Sequence, residues 1–287
     1  MINLQIPHAT TIRALRARVK SWREAGETVG FVPTMGALHD GHLALVRLAR
    51  AHCDRVVTSI FVNPAQFGQG EDLATYPRDG VEDAGKLARE SCDLIYMPER
   101  DVMYPEHYTT TLTLEGPALG LESDFRPHFF GGVATVVAKL FNQVRPDVAV
   151  FGEKDYQQLL VIRQMVKDLD FDLDIVASET VREEDGLAMS SRNAYLDDEQ
   201  RSRAAQLNVI LKSFVEALQA GDDLVSAQAT ALKAAQDIFD GVDYIEARCA
   251  TTLQAFDTGK LTGPARVLAA VRLGDARLID NCAVATS

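Results

Sequence analysis

The chain has 287 residues, 47% of them hydrophobic and 24% charged, which is enough apolar material for a large core spread over about two domains and excludes a disordered chain. Its 41 acidic against 29 basic side chains leave a formal net charge of −12, so nucleic acid and anionic membrane surfaces are repelled overall, while a local cluster of positive groups can still bind the phosphate of a small ligand. Cys53, Cys92, Cys249 and Cys282 show no C-x-x-C pairing or metal-ligand spacing, and no stretch reaches the roughly 18 apolar residues of a membrane span, so a reduced, cytoplasmic protein is expected.

Between Thr10 and Ala25, Ile12, Leu15, Val19 and Trp22 recur at helical spacing until Gly26 stops the run. "TVGFVP" (28–33) follows as a buried strand, broken by Pro33 and Gly36, and Leu43, Val46 and Ala49 then mark a helix starting near Asp40 or Gly41. "RVVTSIFV" (55–62) completes a βαβ unit. The alternation continues with a helix near Val81 to Glu90, the strand "DLIYM" (93–97), the helix "GVATVVAKLFNQV" (132–144), the strand "VAVFG" (148–152), the helix "DYQQLLVIRQMVKDL" (155–169) and the strand "DIVAS" (174–178). Strands separated by helices specify an α/β fold, a Rossmann-like doubly wound parallel sheet with ligands at the strand carboxyl ends. Beyond about Glu183 come a polar loop, Ala/Leu-rich helices over 198–220 and 222–240, "YIEARCA" (244–250), and "RVLAAVRLGDARLID" (266–280) with a Gly-Asp hairpin turn. The expected division is a ligand-binding domain over 1–182 and a small α+β C-terminal lid over 183–287.

The sequence lacks G-x-x-x-x-G-K-[ST], and "GQGEDL" (68–73) has Leu73 where a dinucleotide fingerprint needs glycine, so it reads as a loop. "HDGH" (39–42) offers another anion site: free N–H groups at the helix start, the positive dipole end, and imidazoles of His39 and His42 three residues apart. Gly36 and Gly41 would allow close backbone approach. The competing reading makes Asp40 an N-cap and the histidines solvated turn residues; zinc is disfavoured because the H-E-x-x-H glutamate and spacing are absent. Three more segments fall at strand ends: "FVNPAQFGQ" (61–69), "FGEKDYQQ" (151–158) and "GLAMSSRNAYL" (186–196). Each also has a structural reading. Asn63 and Gln66 could close a turn around Pro64, Asp155 and Gln158 could form a capping box beside a solvated Lys154, and "SSRN" could be a loop before a helix capped by Asp197.

Taken together and in this order, "PTMGALHDGH", "FVNPAQF", "FGEKDYQQL" and "DGLAMSSRNAYL" closely resemble the pantoate-beta-alanine ligase family across essentially the whole chain. That family belongs to the nucleotidyltransferases with a HIGH-type histidine motif, and "MSSR" sits where relatives carry a lysine-serine signature. The resemblance implies two steps. Pantoate's carboxylate attacks the α-phosphate of ATP, releasing pyrophosphate and forming pantoyl adenylate; the amine of β-alanine then attacks the acyl carbon to give pantothenate and AMP. Magnesium accompanies ATP, with its ligands unassigned. By the same resemblance, Met35, Gly36, Ala37, Leu38, His39, Asp40, Gly41 and His42 line the ATP site, with His42 at the proton-donor position. Gly152, Glu153, Lys154 and Asp155 continue it, and Val181, Met189, Ser190, Ser191 and Arg192 close it. His42, His39, Lys154 and Arg192 form the implied catalytic set. Gln66 and Gln158 take pantoate, Gln66 also meets β-alanine, and a homodimer is implied.

One stretch departs from the family. Where relatives read "RP-x-HF-x-GV", this chain has "RPHFFGGV", with Phe129 at the histidine position and a histidine one place early, His128. Two rival functions remain: another HIGH-type transferase, whose phosphorylated acceptor would need more cationic residues than Gln66 and Gln158 provide, and a nucleotide sensor without turnover.

Overall fold

The computed structural model describes residues 6–68, 70–257 and 259–285. The chain divides into two compact units: the first holds residues up to Leu114, Arg126–Glu153 and Val161–Glu179, the second Glu115–Phe125, Lys154–Leu160 and the residues from Thr180 onward.

In the first unit, β1 (His8–Ala9), β2 (Val29–Thr34), β3 (Arg55–Ile60), β4 (Leu94–Tyr96), β5 (Val148–Gly152) and β6 (Asp174–Ser178) form one sheet, ordered β1-β4-β3-β2-β5-β6 with every neighbouring pair parallel. The flanking helices are α1 (Ile12–Glu24), α2 (Asp40–His52), α3 (Gly80–Arg89), the short α4 (Arg100–Met103), and, after α5 (Glu122–Phe125) of the second unit, α6 (Phe129–Val144). Helix α7 (Tyr156–Asp168) begins in the second unit and ends in the first. This is the α/β fold expected. Thr11 caps α1 by accepting from the Ala14 N–H at 3.2 Å, and Leu15, Val19 and Trp22 form its buried stripe. Strand β1, with two residues, is too short to carry a readable pattern.

The sheet reverses its direction of growth between β2 and β5, the topological switch point at which open α/β sheets bind ligands. Pro33 accounts for the short pairing of these two strands. Odd-numbered residues of β2 face β5, as the Asp147 N–H bonded to Val29 O at 2.8 Å shows, while even-numbered ones face β3, where Phe61 N–H bonds Thr34 O at 3.0 Å. Pro33 therefore presents its missing N–H to β5. Pairing between these strands is confined to Gly30 with Val148 and Phe31 with Ala149, and their carboxyl ends are left unzipped.

The second unit carries α8 (Asp198–Ala204), α9 (Gln206–Ala220) and α10 (Leu224–Gln236), then an antiparallel sheet of β7 (Gly241–Cys249), β8 (Ala265–Leu273) and β9 (Ala276–Val284). The single helix expected over 198–220 is interrupted at Ala205, whose ψ of −24° tightens the backbone away from α geometry. Gly274 and Asp275 form the anticipated turn between β8 and β9, with Gly274 at φ +55°. Val267, Ala269 and Val271 pack with Leu207, Leu211, Phe214, Ala231 and Ala235 in one core. The alternate residues Arg266, Leu268 and Ala270 are also buried. On that second face the Arg266 guanidinium lies 3.7 Å from the Tyr156 ring centroid, Tyr156 Oη donates to Ala250 O at 2.8 Å, and Arg277 Nη1 donates to both oxygens of Glu122 at 2.7 and 2.8 Å. These bonds bind 115–125 and the start of α7 into the second unit.

Candidate active site

Beyond β2 the backbone turns through Gly36 at φ +87° and Ala37 at φ +52°. A Cβ on Gly36 would stand 3.0 Å from Asp83 Oδ2 and 3.1 Å from Ile60 Cγ2, so both conformation and space call for glycine. Asp83 of α3, only 2% exposed, accepts from the N–H groups of Ala37 at 2.9 Å and Leu38 at 2.8 Å, and Lys86 Nζ donates to Leu38 O at 2.7 Å. Burial pushes the Asp83 carboxyl up, and the two amides only partly oppose that. The turn is thus clamped at donors and acceptor alike before the chain enters α2.

The N-cap of α2 is His39 rather than Asp40, which is the exposed first residue of the helix. His39 N–H donates to His42 Nδ1 at 3.4 Å, and the two rings lie 4.1 Å apart between centroids. With the Nδ1 lone pair engaged, neutral His42 carries its proton on Nε2, as a hydrogen-bond donor.

Gln66 ends the short 3₁₀ helix Pro64–Gln66 that follows β3. Asn63 does close this turn, its Oδ1 accepting from the Ala65 N–H at 3.3 Å, and its Nδ2 also donates to Gln66 Oε1 at 3.1 Å. Gln66 Nε2 in turn donates to Met35 Sδ at 3.0 Å, which brings the histidine segment and Gln66 together within the first unit. Arg126 braces the same stretch from α6's approach: Nη2 donates to Gln66 O at 3.1 Å and Nε to Glu71 Oε1 at 2.9 Å. Phe129, at the family's histidine position, lays its ring 4.0 Å beneath the Arg126 guanidinium, and His128 Nε2 stands 4.0 Å from Glu71 Oε1. Burial pushes the Glu71 carboxyl up, but the Arg126 hydrogen bonds and charge outweigh it, and the group titrates below its ordinary value. The "GQGEDL" stretch is a loop whose acid serves this ion pair; its Gln69 lies outside the described residues.

In the second unit, Lys154 and Asp155 belong to a 3₁₀ turn, Glu153–Asp155, ahead of α7. Among the described residues the Lys154 ammonium makes no hydrogen bond or ion pair, and neither Asp155 nor Gln158 bonds through its side chain, so the capping box is not formed. Neighbouring Gln157 is consumed structurally: it accepts from Glu122 N–H at 3.2 Å and donates to Pro117 O and Gly120 O, both at 3.1 Å. Val181 and Met189 face each other across a tight loop, Met189 N–H bonding Val181 O at 3.0 Å. Ser190 Oγ then accepts from Arg192 N–H at 3.3 Å, capping the 3₁₀ helix Ser191–Tyr195.

Two residues that the sequence analysis passed over anchor both of these segments. Asp280, 4% exposed, takes a bidentate pair from Arg182 at 2.8 and 2.9 Å, and Asn281, 3% exposed, donates through Nδ2 to Lys154 O at 2.9 Å. Adjacent strand residues point to opposite faces, so β9 holds one segment from each side of its sheet. The signal was a polar pair inside the apolar run "RLIDNCAV", just as Asp83 is a buried acid beside Ala84 and Leu87 on α3. Among the described residues no group of three or more His, Cys, Asp or Glu side chains is placed to hold a metal ion, and no helix is long and apolar enough to cross a membrane.

Residues 8–283 match the family model described as pantoate-beta-alanine ligase. The chain is 67% identical over 283 residues to the pantothenate synthetase of Maricaulis maris, covering 99% of this chain and 98% of that protein. It is 54% identical over 281 residues to the pantothenate synthetase of a Bradyrhizobium species, covering 96% and 98% respectively. The crystal structure of pantothenate synthetase from Thermus thermophilus matches with a TM-score of 0.91 at 44% identity, over 98% of this chain and 100% of that one. Pantoate-beta-alanine ligase from Francisella tularensis, crystallised with beta-gamma ATP and beta-alanine, matches with a TM-score of 0.81 at 32% identity, over 98% and 99%.

Proposed function

The chain belongs to the pantoate-beta-alanine ligase family, and from that premise we propose that it joins pantoate to β-alanine through a pantoyl adenylate, consuming ATP and releasing pyrophosphate and AMP. A carboxylate does not acylate an amine at neutral pH because its leaving group would be oxide; adenylation replaces that group with AMP. The observation carrying this reading is the histidine turn at the carboxyl end of β2, with the His39 N–H on His42 Nδ1, which leaves Nε2 to carry the proton of a neutral ring, and Gln66 held against Met35 of the same segment. The free N–H groups at the start of α2, together with His39 and His42, suit the negative charge that builds on departing pyrophosphate. Lys154, with no partner for its ammonium among the described residues, supplies a point charge for the reacting phosphates, and Arg192, Ser190 and Ser191 add a cation and donors. Gln66 and Gln158 address pantoate.

ATP enters as its magnesium complex. Magnesium keeps phosphate and water oxygens as ligands in such sites, and its protein ligands here are unassigned. A cytoplasmic homodimer belongs to the same proposal, by family analogy.

The test is incubation with ATP, D-pantoate and β-alanine, with expected formation of AMP, pyrophosphate and amide product in equal amounts. Pyrophosphate exchange into ATP should require pantoate but not β-alanine. His42→Ala and Lys154→Ala should each slow that exchange by at least about 10-fold, about 1.4 kcal/mol of transition-state stabilisation, while keeping the far-UV circular dichroism spectrum. Exchange independent of pantoate would favour a different nucleotidyl transfer, and absence of both AMP and amide would favour a nucleotide sensor.

A further inference from the structure

The carboxamide of Gln66 could in principle offer either its oxygen or its N–H groups to a substrate, and the choice is made by the side chain of Asn63, earlier in the same turn. Asn63 is 1% exposed and uses every polar atom of its side chain. Its Oδ1 accepts from Tyr104 Oη at 2.7 Å and from the Ala65 N–H at 3.3 Å; its Nδ2 donates to Gly132 O at 3.2 Å and to Gln66 Oε1 at 3.1 Å. Rotating the Asn63 amide by half a turn would set N–H against N–H at Ala65 and oxygen against oxygen at Gly132. Gln66 must therefore give its oxygen to Asn63. Its NH₂ faces the other way, with one hydrogen on the weak acceptor Met35 Sδ at 3.0 Å and the second left for a ligand.

We propose that Tyr104 is a positioning residue for substrate selectivity: its hydroxyl makes the shortest of the four bonds that hold the Asn63 amide, whose sense, set by Ala65 and Gly132, commits Gln66 to donate, so that the site recognises a hydroxyl-bearing acid by its oxygen atoms. The proposal rests on the reading that Gln66 meets pantoate. Tyr104 lies at the end of α4, 41 residues from Asn63 in sequence, and its ring is held edge-on to Tyr108 with centroids 5.2 Å apart. The Lys139 ammonium stands 4.4 Å from the Tyr108 centroid and 6.0 Å from that of Tyr104. Burial pushes the Tyr104 phenol up, so it stays protonated and remains a donor. Without that hydroxyl the sense of the Asn63 amide is still set by Ala65 and Gly132, but Oδ1 keeps only the long backbone bond from Ala65, so the amide loses its shortest tether and Gln66 its fixed position.

Tyr104→Phe keeps the ring and its packing, and an unchanged thermal midpoint serves as the control for folding. The variant should raise KM for pantoate at least about fivefold while leaving KM for ATP within about twofold. The Ki of 3,3-dimethylbutanoate, the analogue without hydroxyls, as a competitor of pantoate should stay within about twofold, because Gln66 has no hydroxyl to meet on it. General loosening of the site would weaken pantoate and analogue together, and that result overturns the proposal. Gln66→Ala serves as the reference: in its background Tyr104→Phe should have no further effect on KM for pantoate. If Gln66→Ala raises that KM and Tyr104→Phe alone does not, the role of Tyr104 falls and that of Gln66 stands. If Gln66→Ala leaves it unchanged, the pantoate assignment falls and takes this proposal with it.

Discussion

Ala37 and Leu38 direct adjacent backbone N–H groups onto one carboxylate, and the shape of the histidine turn depends on it. A non-glycine residue at positive φ, such as Ala37, persists only where its surroundings over-determine it. Asp83→Asn keeps the size but leaves one acceptor for two donors, so one amide would face an NH₂ group inside a buried site. The expected outcome is a loss of about 1–3 kcal/mol in chemical denaturation. Because the turn leads into His39 and His42, kcat/KM for ATP should also fall by about 10-fold, with a smaller change in KM for pantoate. Unchanged ATP kinetics in a destabilised variant would limit Asp83 to folding. The two histidines were visible as a pattern because they lie within four residues of each other. Asp83 was not, because its partners are 45 and 46 residues away in sequence and only the approach of α3 joins them.

At the scale of elements, α6 and the Pro64–Gln66 turn meet at a single glycine. A Cβ on Gly132 would fall 2.2 Å from Ala65 O and 2.9 Å from Gln66 N, so backbone, not a yielding side chain, fills the space. Gly132→Ala must displace one of the two, and a destabilisation of about 1–3 kcal/mol is expected by denaturant titration. KM for pantoate should rise in the same variant, since Asn63 bonds the Gly132 carbonyl and positions Gln66. A variant that is destabilised but kinetically normal would separate the helix contact from the site. The sequence marked α6 as a helix through its apolar spacing, but which glycine touched what was illegible, because spacing reports a face and not its neighbour. Strand β9 teaches the same point: its hairpin was readable from Gly274 and Asp275, whereas the tasks of Asp280 and Asn281 emerge only when Arg182 and Lys154 arrive from elsewhere in the chain.

For the whole molecule, acid excess has a signed consequence. Hydrogen bonds from Arg55 hold the Glu27 carboxyl below its usual range, Thr28 does so for Asp54, Arg201 for Asp185, and the Gly274 amide with Arg203 for Asp240. A depressed carboxyl binds fewer protons folded than unfolded, so its stabilisation is present above the unfolded value and is lost as pH falls through the folded one. Asp83, raised by burial, has the opposite sign, but it stands against several depressed groups. The thermal midpoint should therefore hold from about pH 7 to about pH 5 and drop steadily below about pH 4, the ordinary carboxylate range. A midpoint that rose on acidification would mean that desolvated carboxyls, not paired ones, dominate. The effect of the exposed pairs should shrink in high salt.

What the sequence determined alone was local or periodic: the α/β alternation, the apolar helix faces, the Gly-Asp hairpin, and motifs compact enough to be recognised as those of pantoate-beta-alanine ligases. A division at residue 182 followed the change of texture along the chain, yet 115–125 and 154–160 cluster with the later residues because Glu122 and Tyr156 find Arg277 and Arg266 there. Tertiary structure alone decided the proton position on His42, the orientation of Gln66, and the duties of Asp83, Tyr104, Asp280 and Asn281. The physical reason is that these are properties of hydrogen-bond partners: a side chain's donors and acceptors are fixed by its chemistry, but what answers them is fixed by whichever distant segment the fold sets beside it.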